Sequence, residues 1–233
     1  MRLINFIRQR CQLGRPAARA LIVAGRVRVD QRVQCDGGYR VTPYNLISLD
    51  DDCLQQGTPL YLMMHKPAGV VSATEHPHHP TVIDRLPAEY RPGLHLAGRL
   101  DLTTTGLLLL TNDGLWSKRL SRPEHKVAKV YRVTTALPIT DDYVRQFEEG
   151  IYFAYEGITT APAQLQLIDP FNARLTLFEG RYHQVKRMFG FFDNPVVALH
   201  RERIGELVLD PVLAPGQYRP LSEAEIALFP VTP

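Results

Sequence analysis

The chain has 233 residues, 45% of them hydrophobic and 22% charged, and carries a formal net charge of +3. That is ordinary globular composition, and the length suits one large domain or two modest ones. Met1 to Arg10 is broken by Arg2, Arg8 and Arg10, and Leu107 to Leu110 is far too short to cross a bilayer, so neither a signal peptide nor a membrane span is expected and a soluble, cytoplasmic protein is.

The N-terminal segment reads as two helices and a short sheet. Leu3, Phe6, Ile7 and Arg10 suit an amphipathic helix. Pro16 fits the first turn of a second helix, and Gly25 fits its end. Arg15, Arg19 and Arg26 are expected on about one face of that second helix. Val27, Val29 and Val33 flank a polar turn, as in small paired strands. Asp50-Asp51-Asp52 and Gln55-Gln56-Gly57-Thr58-Pro59 form a polar stretch that reads as a flexible linker. Residues 1–59 and 60–233 are the expected domains.

The second part mixes strands and helices without a regular βαβ repeat or a phosphate-loop glycine motif, which favours an α+β domain. Leu60–Met64, Gly106–Thr111, Val127–Leu137 and Arg174–Phe178 read as strands. Asp113 is placed to cap a helix through Leu120. Thr140 is placed to cap another, with Asp141 and Asp142 in its first turn and Gly150 at its end. Val185, Met188, Phe189 and Phe192 follow a helical spacing that Asn194-Pro195 stops. Ser222 and Glu225 have the spacing of a capping box.

Charge is distributed unevenly. Residues 1–49 hold nine arginines and no lysine, opposed only by Asp30 and Asp36. A basic block ahead of a balanced body points to a polyanion-binding module attached to something else. The three cysteines, Cys11, Cys35 and Cys53, lack CxxC spacing and read as small reduced core residues, not as a zinc site or disulfide frame. His76, His78 and His79 have no second ligand cluster at metal-site spacing, so a structural or RNA-contacting loop is expected there.

The run Gly98-Arg99-Leu100-Asp101-Leu102-Thr103-Thr104-Thr105-Gly106 is a polar, glycine-bounded loop feeding the strand Leu107–Leu110. Taken alone it reads as a loop salt bridge between Arg99 and Asp101. It is accompanied by His65-Lys66-Pro67-Ala68-Gly69, by Lys129-Val130-Tyr131, by Glu179-Gly180-Arg181-Tyr182-His183-Gln184-Val185-Lys186-Arg187-Met188, and by Leu199-His200-Arg201-Glu202-Arg203-Ile204-Gly205. In this order, and over almost all of residues 60–205, these segments resemble the RsuA family of pseudouridine synthases. The N-terminal block resembles the alpha-L RNA-binding module, named after a small-subunit ribosomal protein, through Arg2-Leu3, Arg15, Ala18, Leu21-Ile22, Gly25, Val27 and Val29. Asn5, Gly14 and His65 depart from the common residues at their positions.

The resemblance implies a small alpha-L domain followed by a synthase domain built on a mixed, mainly antiparallel sheet with flanking helices. It implies a cofactor-free, metal-free isomerisation of a uridine already in RNA. Asp101 would be the nucleophile or base. Tyr131 would stack on the target base, and Lys186 would pair with Asp101. Arg99 would fill the space left by the flipped nucleotide, while Arg2, Arg15, Arg19, Arg26, Arg181 and Arg187 would contact RNA. Residues 179–189 and 200–205 look most like the small-subunit (16S) branch, whereas large-subunit relatives commonly read Asn-Arg-Gln where this chain has Tyr182-His183-Gln184. The implied partner is small-subunit ribosomal RNA in a partly assembled ribonucleoprotein, bound by a monomer. The competing readings are a large-subunit enzyme, a non-catalytic RNA-binding assembly factor, and an Asp-dependent phosphoester hydrolase. The last would want a second carboxylate and a metal.

Overall fold

A computed structural model describes residues 1–91 and 93–230. The chain divides into two compact units, Met1–Leu60 with Leu86–His95, and Tyr61–Arg85 with Leu96–Pro233. Leu86–His95, expected with the later part of the chain, groups with the first unit. Tyr90 meets Tyr44 edge-on at 5.4 Å, and Gly93 lies against the Asp30 carboxylate.

In the first unit α1 (Leu3–Arg10) and α2 (Arg15–Val23) cover a sheet of β1 (Val27–Val29), β2 (Arg32–Val33), β3 (Ile47–Leu49) and β4 (Asp52–Gln55), ordered β2-β1-β3-β4. Leu3, Ile7, Ala18, Ile22, Val27 and Ile47 make its core. The expected linker is therefore partly strand: β4 pairs with β3, and Gln55 donates to the Thr42 and Asn45 carbonyls at 2.8 Å. Arg26 lies beyond the end of α2, past Gly25 at φ +70°, and not on the helix face. Two of the cysteines, Cys35 and Cys53, are exposed and are not core residues, while Cys11 is half-buried and packs against this core.

The second unit begins with β5 (Tyr61–Lys66); the short β6 (His95–Leu96) spans the change of unit. Then follow β7 (Thr105–Thr111), α3 (Gly114–Ser121), β8 (Lys129–Thr135), α4 (Asp141–Glu149), β9 (Tyr152–Phe153), β10 (Ile158–Thr159), β11 (Gln164–Asp169) and β12 (Asn172–Leu177). The chain closes with α5 (Gln184–Gly190), β13 (Val196–Ile204), β14 (Leu207–Val208), β15 (Tyr218–Pro220) and α6 (Glu223–Ala227). The main sheet runs β11-β12-β8-β13-β7-β5-β15, with β14 paired to β13. Its named pairings are antiparallel except β7 with β13. This is the expected α+β architecture.

Leu107 to Leu110 are all fully buried, which a central strand covered on both faces requires. One core joins α4 and α5 to the sheet through Tyr143, Phe147 and Phe189, with Phe192 stacked on Tyr143 at 3.8 Å. Another gathers Met63, Leu109, Trp116 and Phe229. Asp113 caps α3 by accepting the Leu115 and Trp116 amides, and its other oxygen accepts the Tyr61 hydroxyl at 2.7 Å. Burial and that carboxylate push Tyr61 up to about 12. Thr140 does precede α4, but its side chain makes no capping bond. Among the described residues, no helix is long and apolar enough to cross a membrane.

Candidate active site

The loop from Gly98 to Thr104 is anchored through its backbone. Lys66, the last residue of β5, is fully buried. Its Nζ lies 3.0 Å from the Pro67 carbonyl, 3.1 Å from that of Asp101, 2.8 Å from that of Thr104 and 3.4 Å from that of Leu102. An ammonium has three protons, so these four acceptors share it. The Ser72 hydroxyl donates to the Leu100 carbonyl at 2.7 Å and accepts the Leu100 amide at 3.0 Å. The Gly69 amide donates to the Leu102 carbonyl at 2.9 Å. Arg201 donates from Nε to the Leu107 carbonyl at 2.7 Å and from Nη1 to the Arg99 carbonyl at 3.4 Å. Ordering the backbone in advance removes that entropic cost from the reaction.

Above this loop opens a cleft of about 680 Å³, lined among others by Arg99, Asp101, Lys129, Tyr131, His183 and Arg201. Tyr131 on β8 pairs directly with Arg201 on β13, so their side chains share the cleft face of the sheet. Lys129 joins them two residues earlier on β8. Burial pushes Lys129 down to about 8, with the Arg201 charge adding to the effect. Burial likewise pushes Lys66 down to about 8, against the pull of Asp101 and with the push of Arg201. Arg201 is 3% exposed, and its Nη2 has no hydrogen-bond partner among the described residues. A buried guanidinium with a spare donor is costly.

The structure brings Asp101, Tyr131 and Arg99 to one cleft. The Asp101 carboxylate is half-buried and lies 3.6 Å from His183 Nε2. Lys186 does not make the expected ion pair with it. Its ammonium donates instead to Thr103 Oγ1 at 3.0 Å, two residues further along the loop. The reason is local: His183 precedes α5 in a left-handed conformation, φ +48°, and occupies the approach to Asp101, while Lys186 reaches the loop from one turn further on. Arg99 is exposed at the rim and is not tied to Asp101; its carbonyl is held by Arg201. Arg181 and Arg187 both meet Glu156, at 3.5 Å and 2.5 Å, and Arg187 also lies 3.6 Å over the Phe153 ring.

Lys66, Ser72, Lys129, His183 and Arg201 were not assigned roles from the sequence. For Lys66 a signal was present: a lysine that continues the apolar strand Leu60–Met64 must either end it or be buried with partners.

In the first unit all nine arginines of residues 1–49 are exposed, including Arg2, Arg15, Arg19 and Arg26. Of its acids, Asp30 is turned inward and Asp36 onto backbone, while Asp50, Asp51, Asp52 and Glu89 are exposed. Asp30 accepts from Asn45 Nδ2 at 2.7 Å and from the Leu46 amide at 2.9 Å, and burial raises it above the usual carboxylate range. Asp36 accepts the Gly38 amide at 2.7 Å. Arg26 is paired with Asp50 at 2.5 Å, the one ion pair of these nine arginines among the described residues. Much of the positive surface is thus left uncompensated.

Residues 60–190 match the model of the RNA pseudouridylate synthase family, and residues 1–45 match that of the S4 domain. The chain is 53% identical over 227 residues to the ribosomal small subunit pseudouridine synthase A of Pseudomonas aeruginosa, covering 97% of this chain and 99% of that one. It is 47% identical over 228 residues to the protein of that name from Escherichia coli, covering 97% and 99%. A solved structure described as a pseudouridylate synthase superposes with a TM-score of 0.72 at 40% identity, covering 98% of this chain and 99% of that one. With the anchored Asp101 loop, the facing Tyr131 and the basic N-terminal unit, these likenesses place the chain in the RNA pseudouridylate synthase family.

Proposed function

We propose that the protein isomerises a specific uridine of small-subunit (16S) ribosomal RNA to pseudouridine, with Asp101 as the reacting carboxylate. The observation that carries this reading is the seat of Asp101: an accessible carboxylate on a clamped backbone, in a cleft whose wall presents Tyr131 and Arg201 side by side. The small-subunit substrate is supported by relatives of that name matched over nearly the whole chain.

The atoms of a stacked uridine are out of reach, so the nucleotide must be extruded into the cleft. Tyr131 offers a ring face to the extruded base, and Arg99 at the rim can stack in the gap left behind. The N1–C1′ bond breaks, the base turns, and a C5–C1′ bond forms. The proton lost from C5 is balanced by one gained at N1, so no outside oxidant, metal or cofactor is required by the balance of the reaction. An ionised carboxylate can serve as the nucleophile or as the base that takes the C5 proton. The Lys186 ammonium is held nearby, on Thr103 Oγ1 of the same loop.

Residues 1–59 form the RNA-binding module in this reading and residues 60–233 perform the chemistry. Arg2, Arg15, Arg19 and Arg26 contact phosphates of the RNA, and Arg181 and Arg187 do so at the cleft once Glu156 releases them. The partner is a partly assembled small subunit, met in the cytoplasm by a monomer. A pseudouridine map of ribosomal RNA from cells with and without the gene tests the proposal. Loss of one small-subunit site is expected; an unchanged map, or a site lost from the large subunit alone, overturns it.

A further inference from the structure

Between β12 and α5 the chain runs along the cleft rim as Glu179-Gly180-Arg181-Tyr182-His183. This segment is braced from behind. Glu179 Oε1 accepts from Gln184 Nε2 at 2.7 Å and from the Ala161 amide at 3.0 Å, while Gln184 Oε1 accepts the Arg181 amide at 3.0 Å. Gln184 itself is 4% exposed. The brace ends at His183, held in a left-handed conformation that costs a non-glycine residue energy and so persists only where its surroundings enforce it.

His183 has two distinct contacts. Its Nε2 faces the Asp101 carboxylate at 3.6 Å, and its ring face carries Tyr182, with centroids 3.8 Å apart and planes inclined by 20°. Tyr182 is nevertheless 73% exposed. One face of its ring is therefore covered by imidazole, and the exposed ring lines the same cleft as Arg99 and Arg181. Tyr131 is a separate feature: it sits half-buried on the sheet and packs against the core. A rigid aromatic face at a cationic rim is a suitable partner for an unpaired nucleobase, because bases stack on aromatic rings while their phosphates seek guanidinium groups.

We propose that Tyr182, backed by His183, is a second stacking platform that receives an unpaired nucleobase flanking the target uridine. The inference rests on the reading that Asp101 acts on a uridine extruded into this cleft. His183 then links the two positions: it touches the reacting carboxylate on one side and supports the platform on the other. Stacking tolerates any base, so the platform selects for an unpaired neighbour more than for its identity. It would contribute to binding and leave the chemical step alone, making Tyr182 a specificity-determining residue.

The test is a cycle of two changes. The substrate is a 16S ribosomal RNA fragment carrying the mapped uridine, prepared intact or with an abasic nucleotide immediately 5′ or 3′ of it. The protein is wild type, Tyr182→Ala or Tyr182→Phe, all full length. With intact RNA, Tyr182→Ala is expected to raise KM by roughly 5- to 100-fold, with kcat changed less than about twofold, while Tyr182→Phe behaves as wild type. One of the two abasic substrates should raise the wild-type KM by a similar factor and cause Tyr182→Ala no further loss. Multiplying losses at both positions, or a fall in kcat with KM unchanged, overturns the platform. Absence of pseudouridine with wild-type protein and intact RNA overturns the reading of the cleft itself, and the platform with it.

Discussion

Gly106 lies so close to the backbone of Arg201 that a Cβ on it would sit 2.3 Å from the Arg201 carbonyl oxygen. The two residues pair across the parallel β7–β13 contact, and Gly106 has φ +108°, where side chains are rarely tolerated. Gly106→Ala therefore meets both a clash and backbone strain, just after the Asp101 loop. A loss of about 3 kcal/mol or more is expected, or failure to fold. Denaturant unfolding of the variant beside wild type measures it, and a loss under about 1 kcal/mol would contradict the tight packing.

Asp101→Asn keeps the size of the side chain and removes its charge. The loop is held through main-chain carbonyls and amides, so its fold should survive. RNA binding is expected within about threefold of wild type, while product formation falls by about a thousandfold or more. Single-turnover assay with direct detection of pseudouridine distinguishes this from a binding defect. Turnover at the wild-type rate would remove Asp101 from the mechanism.

Lys66→Met takes the shared donor from four carbonyls and should loosen the Asp101 loop, lowering both stability and kcat. The pH dependence has a definite sign. Folding lowers the Lys66 value from 10.5 to about 8, so between these values the unfolded chain binds more protons than the folded one. Stability from this group is lost as pH falls through about 8 and is fully present above 10.5. The stability of wild type relative to Lys66→Met should thus rise between pH 8 and 10.5, by at most about 3 kcal/mol. Unfolding curves of both proteins across that range check it; a difference that shrinks as pH rises would contradict the burial of a charged amine.

Arg15 and Arg19 are exposed on α2 and carry no ion pair among the described residues. Replacing both by Gln should weaken RNA binding at low salt without altering stability by more than about 0.5 kcal/mol. The slope of log affinity against log salt concentration should become shallower by roughly 0.7 to 0.9 for each phosphate contact removed. An unchanged slope would assign RNA contact to other arginines.

Glu225 closes the α6 capping box with Ser222 and accepts from Arg219 at 2.7 and 2.9 Å. The Arg219 bonds lower its value from 4.5 to about 2. Its stabilisation is therefore present above pH 4.5 and lost as pH falls through about 2. Glu225→Gln should cost about 1–2 kcal/mol at pH 7, with the deficit narrowing below pH 4.5. Parallel acid unfolding of the two proteins measures the convergence.

Local rules made much of this molecule legible. Pro16 at the start of α2, Asp113 before α3 and the Ser222–Glu225 box depend on neighbours within four residues, and the structure has them as expected. The segment Asp52–Gln55 reads as a polar linker because its strand character comes from pairing with Ile47–Leu49, not from its own composition. Arg26 has the helical phase of Arg15 and Arg19, but Gly25 turns the chain before it. At the site, Asp101 and Tyr131 were implied by the family resemblance, and both line one cleft. The clamp was not legible, because a buried lysine and arginine find their acceptors on carbonyls distant in sequence. The exchange of His183 for Lys186 beside Asp101 depends on one left-handed residue that no local signal announced.

The parallel pairing of β7 with β13 sets when this enzyme can first act. Arg201 is 102 residues beyond Arg99, whose carbonyl it holds, and 94 beyond Leu107. A chain extended only through α5 already carries Asp101, Tyr131 and Lys186, yet lacks the strand that supplies Arg201 and lies against Gly106. Such a long-range closure is entropically late. During its own synthesis the protein therefore passes through a stage with Asp101, Tyr131 and Lys186 present along the chain and no assembled cleft, which closes only when β13 docks.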